Sequence, residues 1–282
     1  MVIRPTAQND LPELQEVFTL AIGDVYARRN LDPPAPPLEV FLSQQAHLLE
    51  HDAERCFVAE SDGRIEAFVA AWARGDSWFL ASLFIRPDLQ GAGLGRALLD
   101  RAWGGEFAHR RTLTDAIQPR SNGLYARRGL IPATPLLTLG GIPGRLVEPG
   151  LEPAQPTAEA LRELDVAAYG FDRAVDHELW RRAAQLTLWT RDGEPIGYSY
   201  AFPGGRIGPV AGSDGPAAAA ALAAELARVE REATVRIPGS ATELVETAIA
   251  AGLRFGPAPG LLLLSTGTLP PTALAIGSYT LL

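Results

Sequence analysis

Ile85-Arg86-Pro87-Asp88-Leu89-Gln90-Gly91-Ala92-Gly93-Leu94-Gly95-Arg96 is the stretch whose reading decides the fold. The apolar run Trp78 to Ile85 before it reads as a strand. Leu94 to Phe107 after it reads as a helix, with Leu94, Leu98, Ala102 and Phe107 facing inward. A helix that begins straight after such a loop points its first N–H groups outward, and its dipole places about half a positive charge there. The loop therefore reads as an anion cradle, the alternative being a glycine-rich turn without chemistry: Gly91, Gly93 and Gly95 let backbone amides approach a diphosphate, and Gln90 adds a side-chain donor at the rim. A dinucleotide fold wants its glycines in the first strand–helix unit and an acidic residue about 20 positions on. Here the loop follows three predicted antiparallel strands, although Asp115 on the next strand, Thr112 to Ile117, keeps that alternative open.

Outward from the loop, Asp62-Gly63 between Cys56–Glu60 and Ile65–Ala73 is a hairpin signal, because both central positions of such a turn take positive φ. Val2 to Arg4 reads as a strand. A helix starts at Asp10 with Pro12 and a capping Glu13, burying Leu11, Leu14, Phe18 and Ile22, and a second helix spans Leu38 to His51. Downstream come a helix over Ser121 to Arg128 and a strand at Leu136 to Leu139. Residues 143–156 are dense in glycine and proline and read as a linker between domains 1–142 and 157–282. The second domain then repeats the order of elements, with helices at Ala158 to Tyr169 and Ala217 to Ala233. Tyr125-Ala126-Arg127-Arg128-Gly129-Leu130 lies on Ala248-Ile249-Ala250-Ala251-Gly252-Leu253 at an offset of 123, which also sets Gln90 on Ser213. Ordered agreement of separate elements points to a duplicated fold.

Of 282 residues, 47 % are apolar and 21 % charged, the balance of a chain that buries a real core. The net charge of -8 argues against nucleic acid as the main partner. All 25 basic residues are arginine, which removes Schiff-base and phosphate-loop lysines. The single Cys56 sits in an apolar run and reads as a buried strand residue rather than a nucleophile. No signal-like pattern and no apolar run of about 18 to 20 residues is present, so neither membrane insertion nor secretion is expected, and a cytoplasmic location is. His47-Leu48-Leu49-Glu50-His51 spells a zinc-protease pattern, but no third ligand is visible. The pair reads as the exposed end of a helix, with no metal expected.

Gln90, Gly93 and Gly95 resemble the acetyl-CoA motif of the GNAT acetyltransferase superfamily, which reads Arg or Gln, two residues, Gly, one residue, Gly or Ala. Gln118, Tyr125 and Gly129 stand at the spacing of a second family feature, with Gln118 where Asn is usual and Asn122 nearby. The resemblance covers about Met1 to Gly141. Together with the repeat in the second half, it implies an α+β fold of two GNAT-like domains, each a mixed, mainly antiparallel sheet flanked by helices. It implies that acetyl-CoA pairs its pantetheine arm with the backbone of Leu83, Phe84 and Ile85. Its pyrophosphate would lie on Gly91, Ala92, Gly93, Leu94, Gly95 and Arg96, with Gln90, Gln118 and Asn122 as further contacts. Tyr125 would protonate the departing thiolate.

Acetyl transfer to an amine needs a donor for the thioester oxygen, a proton for sulfur and a base, since an amine of pKa near 10.4 is neutral in about one molecule in 2,500 at pH 7. One backbone N–H of the strand before the loop would serve the oxygen. Glu60, Asp76, Asp115 and His109 are candidate bases, beside a water chain; Trp72, Trp78, Phe18 and Tyr26 line an acceptor pocket or the core. Arg127 and Arg128 read as surface residues before phosphate contacts. At the offset of 123, Tyr125 falls on Ala248, Gln118 on Ala241, Gly93 on Pro216 and Gly95 on Ala218. The second domain is thus expected to have lost the cofactor site, leaving structure, acceptor recognition or homodimer formation as its role. The expected activity is N-acetyl transfer to a small-molecule or peptide amine; the alternative is a non-catalytic acyl-CoA or small-ligand sensor.

Overall fold

Residues rich in β-branched and aromatic side chains between Cys56 and Ile85 form a meander in the computed structural model, which describes residues 1–33, 37–144 and 149–282. Contacts divide the chain into two units, Met1–Thr112 and Leu113–Leu282. In the first, β1 (Val2–Pro5), β2 (Cys56–Ser61), β3 (Arg64–Arg74) and β4 (Ser77–Ile85) pair antiparallel in that order. The opening residues of β5 (His109–Asp115) then pair parallel to β4. Asp62 and Gly63 take φ of 53° and 75°, as the hairpin requires.

α1 (Leu11–Ala27) and α2 (Leu38–His51) pack on the sheet through Leu11, Leu14, Val17 and Phe41 against Val58, Ile65 and Phe68. α3 (Leu94–Ala102) covers β2 to β4 with Leu94, Leu98, Leu99 and Ala102. β3 is buried at both parities from Ala67 to Trp72, which a strand covered on both faces must be. Two expectations need correction here. Glu13 does not cap α1 but accepts the Ile65 N–H at 3.0 Å, tying helix to strand. α3 stops at Ala102, before Gly104 and Gly105, so Phe107 is not on it. Instead the Phe107 ring is covered by Arg55 and Arg110.

The second unit continues with α4 (Pro119–Ala126), β6 (Ile131–Gly141), β7 (Glu152–Ala154), α5 (Ala158–Tyr169), α6 (Ala174–Arg181), β8 (Gln185–Arg191), β9 (Glu194–Ala201), β10 (Arg206–Gly212), α7 (Gly215–Leu226), β11 (Ala233–Pro238), α8 (Thr242–Ala250), β12 (Arg254–Phe255), β13 (Gly260–Leu264) and β14 (Leu274–Ala275). Apart from the two-residue β12, the elements from β7 to β13 repeat the order of β1 to β6, down to a second Asp-Gly turn at Asp192 and Gly193 with φ of 53° and 83°. At the offset of 123, β5 falls on β11 and α4 on α8. Two mixed, mainly antiparallel GNAT-like folds in tandem account for this order.

α6 was not expected from sequence, and α7 ends at Leu226 rather than Ala233. β6 is long and pairs antiparallel with β11 on one side and with β12 and β13 on the other. The contact boundary therefore falls inside β5, ahead of the stretch 143–156, of which residues 145–148 lie outside the described residues. The core of this unit gathers Leu139, Leu222, Leu226, Val235, Leu244 and Ala248.

Candidate functional site

β4 carries an irregularity at the point where the sheet changes character. Its register with β3 jumps from Ala71↔Leu80 to Ala70↔Ser82, so Ala81 is an extra residue, a bulge that re-aims the local backbone. Ser82 is pinned there by a buried hydrogen bond from Gln45 Nε2 of α2, 3.2 Å long. The parallel pairs with β5 run only from Ser77↔His109 to Leu80↔Thr112. Leu83, Phe84 and Ile85 pair with Val69, Phe68 and Ala67 on the β3 side and have no β5 partner in that register.

The glycine loop is anchored at its start. Arg86 is buried, donates from Nε to the Ile65 carbonyl at 3.1 Å and from Nη1 to Glu16 at 3.0 Å, and lies 3.3 Å from Glu66. Pro87 to Leu89 make a short 3-10 turn, and Gln90 Nε2 donates to the Ile85 carbonyl at 3.1 Å, folding the loop back on its strand. Gly91 and Gly93 take φ of 94° and 86°, a left-handed conformation that costs other residues about 1–2 kcal/mol. Gly93 is the N-cap of α3 and offers no side-chain cap. A Cβ at either glycine would meet nothing within 4 Å, so both face open space. Gly91, Ala92, Gly93 and Arg96 are exposed, whereas Leu94 and Gly95 are buried beneath the first turn. Such an amide end, uncapped and unobstructed, fits a diphosphate.

The second predicted feature is on α4. Gln118 is its N-cap, and Asn122 donates from its backbone N–H to the Gln118 carbonyl at 3.1 Å. Asn122 Oδ1 is buried with no partner among the described residues. Tyr125 is buried, and burial pushes its hydroxyl well above the usual tyrosine range, against a hydrogen bond from Ser121. It stays protonated at any physiological pH. Arg127 is exposed.

Of the remaining candidates, Trp72 and Trp78 are core: Trp72 stacks on Phe79 at 5.0 Å, and Trp78 Nε1 donates to the Ala102 carbonyl at 3.1 Å. Phe18 packs with Phe41 and Phe84, and Tyr26 is buried. Glu60 accepts Arg4 Nε at 2.7 Å, an engaged carboxylate. Asp76 and His109 meet at the start of β4, where the Asp76 carbonyl accepts the His109 N–H; the glycine loop lies beyond the other end of that strand. His47 is buried, not exposed as expected, with its ring 4.6 Å from that of His51. Cys56 is buried and donates to the Asp52 carbonyl at 3.5 Å. Sequence reasoning missed the bulge, Arg86 and the Gln45–Ser82 bond. Only the serine among aliphatic residues on β4 signalled any of them.

Residues 52–129 match the sequence model of the Acetyltransferase (GNAT) domain. No curated protein matches the chain. Among solved structures it is similar to a protein from Pyrococcus horikoshii described as an acetyltransferase, at 19 % identity and TM-score 0.78, covering 99 % of this chain and 95 % of that one. It is also similar to a GCN5-related N-acetyltransferase from Sphaerobacter thermophilus, at 16 % identity and TM-score 0.63, covering 99 % and 98 %. A tandem GNAT protein from the clavulanic acid biosynthesis pathway aligns at 14 % identity and TM-score 0.57, covering 94 % and 98 %. Among the described residues no helix is long and apolar enough to cross a membrane. The bulged strand and the glycine-led helix thus lie inside a GNAT acetyltransferase domain, an acyltransferase domain in the first part of a chain that folds as two GNAT-like repeats.

Proposed function

We propose that this chain is an N-acetyltransferase of the cytosol that moves acetyl from acetyl-CoA to a small-molecule or peptide amine by direct attack. One cofactor binds per chain, in the first sequence domain, 1–142. The observation that carries the reading is the uncapped amide end of α3, led by left-handed Gly91 and Gly93, directly after the bulged strand β4. Gly91 to Arg96 would hold the pyrophosphate, and the backbone of Leu83 to Ile85 the pantetheine arm. A backbone N–H beside Ala81 would stabilise the developing oxyanion. Gln118 and Asn122 would add contacts, the latter through its unpartnered Oδ1.

Tyr125 would supply the proton to the leaving thiolate, a role that suits a hydroxyl held in its neutral form by burial. No step calls on a metal ion. Isothermal calorimetry with acetyl-CoA, CoA and NAD, then a screen of amines, amino acids and aminoglycosides for free-thiol release, tests the reading. Acetyl-CoA binding with thiol release on one amine class is expected. Binding without release on any amine would favour the sensor, and binding of NAD alone would refute both.

A further inference from the structure

β10 and β11 are the counterparts of β4 and β5, and they part in the same way. Their parallel pairing is confined to Arg206↔Thr234 and Ile207↔Val235. β10 breaks register with β9 between Ile207 and Val210, as β4 does with β3 between Leu80 and Ser82. In the second unit the wedge between the parting strands is filled by the chain itself. β14 runs antiparallel to β10 with Val210↔Ala275 and Ala211↔Leu274. The Gly212 N–H donates to the Ala273 carbonyl at 3.1 Å, and on the other side the Ile276 N–H donates to the Arg236 carbonyl of β11 at 2.9 Å.

Two arginines clamp the residues beyond β14. Arg173, fully buried and paired with Asp176 at 3.0 Å, donates from Nη1 to the Leu282 carbonyl at 2.9 Å and from Nη2 to that of Leu281. Arg206 donates to the Gly277 carbonyl. The fit is close: a Cβ on Gly208 would stand 2.4 Å from the Ile276 carbonyl oxygen.

The anion cradle has gone as well. Only Ser213 and Asp214 separate β10 from α7, where Arg86–Gly93 separate β4 from α3. A Cβ on Gly212 would lie 2.2 Å from the Ala218 nitrogen, so the helix is drawn hard onto the strand end. The Asp214 carboxylate accepts the Ala217 N–H at 2.8 Å, putting a negative charge where a phosphate would need positive potential.

We propose that Ala273–Leu282 is an intramolecular stand-in for the pantetheine arm, closing the second unit to acyl-CoA. It takes the edge of β10 that corresponds to the Leu83–Ile85 edge of β4, and the inference rests on reading that edge as the place of the cofactor arm. A site-specific protease sequence inserted after the exposed Leu269 allows the folded full-length chain to be cut. The severed segment should stay bound through gel filtration, and about 10 mM pantetheine should lower its retention at least twofold. Loss of the segment without pantetheine, or retention that pantetheine leaves unchanged, would overturn the proposal. If the insertion prevents folding, hydrogen exchange on the unmodified chain decides: protection of the Gly212 and Ile276 amides by about 10³-fold is expected, and protection below about tenfold overturns it. Calorimetry separates the two readings. One acetyl-CoA per chain supports the closed second unit and two would overturn it, whereas none would overturn the reading of β4 and leave the segment's retention to stand by itself.

Discussion

Gly93→Asp transplants into the first unit a feature of the second, the aspartate that caps α7. Gly93 is exposed, and a Cβ there meets nothing within 4 Å, so the substitution creates no clash. Its backbone φ of 86° costs a non-glycine residue about 1–2 kcal/mol, less for Asp, and a left-handed cap does not aim the carboxylate at the α3 amides as the extended Asp214 does. Stability should therefore fall by no more than about 1–2 kcal/mol. Binding should not escape so lightly. One added negative charge about 4 Å from a phosphate is worth about 1 kcal/mol in bulk water and about 4 kcal/mol near a protein surface, roughly 5- to 900-fold in Kd. Gly93→Ala, which has the strain without the charge, should lose the fold's 1–2 kcal/mol and weaken binding less. Calorimetric Kd for acetyl-CoA at low and high salt, with thermal unfolding beside it, measures both. If Gly93→Asp binds acetyl-CoA within twofold of the parent at low salt, the diphosphate does not lie on this helix end.

Tyr125→Phe should leave the Kd for acetyl-CoA within about twofold and slow turnover at least tenfold in a thiol-release assay; an unchanged rate removes Tyr125 as the acid. Burial pushes the Cys56 thiol up from 9.0 to about 12, so its native pKa exceeds the unfolded one. The stability this represents is complete below about pH 9 and is lost as pH rises toward 12, at about 1.4 kcal/mol per pH unit. Cys56→Ala should flatten that part of a denaturation-versus-pH curve, and an unaltered slope would refute the assignment. Asp52 bonds Arg74 at 2.9 Å and the Ala73 N–H at 2.9 Å, both side chains nearly buried, so Asp52→Ala should cost about 3–5 kcal/mol in urea denaturation. Leu98→Ala, at a fully buried position of α3, should cost about 2–5 kcal/mol by the same measurement.

Local chemistry made much of this fold legible. Asp62-Gly63 announces its hairpin because few other pairs tolerate two positive φ angles, and α2 is bounded by Pro37 and by Asp52, so its ends match the expected Leu38 and His51. The glycine loop was readable because strand, glycines and helix are contiguous. α6 was not, since the side chains it turns inward are Asp176, His177 and Trp180, and a buried face made of polar residues has no apolar period. In the native chain the polar groups find partners on other residues: Asp176 pairs with Arg173 at 3.0 Å, and His177 lies 2.8 Å from the Tyr200 hydroxyl and 3.0 Å from Asp165, which also accepts Tyr198. The full length of β6 was hidden by Pro132 and Pro135. β14 left no local trace, because two residues become a strand only when neighbours far along the chain offer them an edge.

The pairing of β6 bears on how such a chain can be inherited and handled. Residues 131–141 belong by order to the first repeat, yet they sit in the sheet between β11 and β13 of the second. A gene fragment opening at the linker would encode a sheet missing an interior strand, with two raw edges ready to capture other chains. A deletion at the obvious seam, in either direction, would strip β6 of its partners or β11, β12 and β13 of theirs. Recombinant work that seeks the second unit alone should start upstream of α4, not at residue 143.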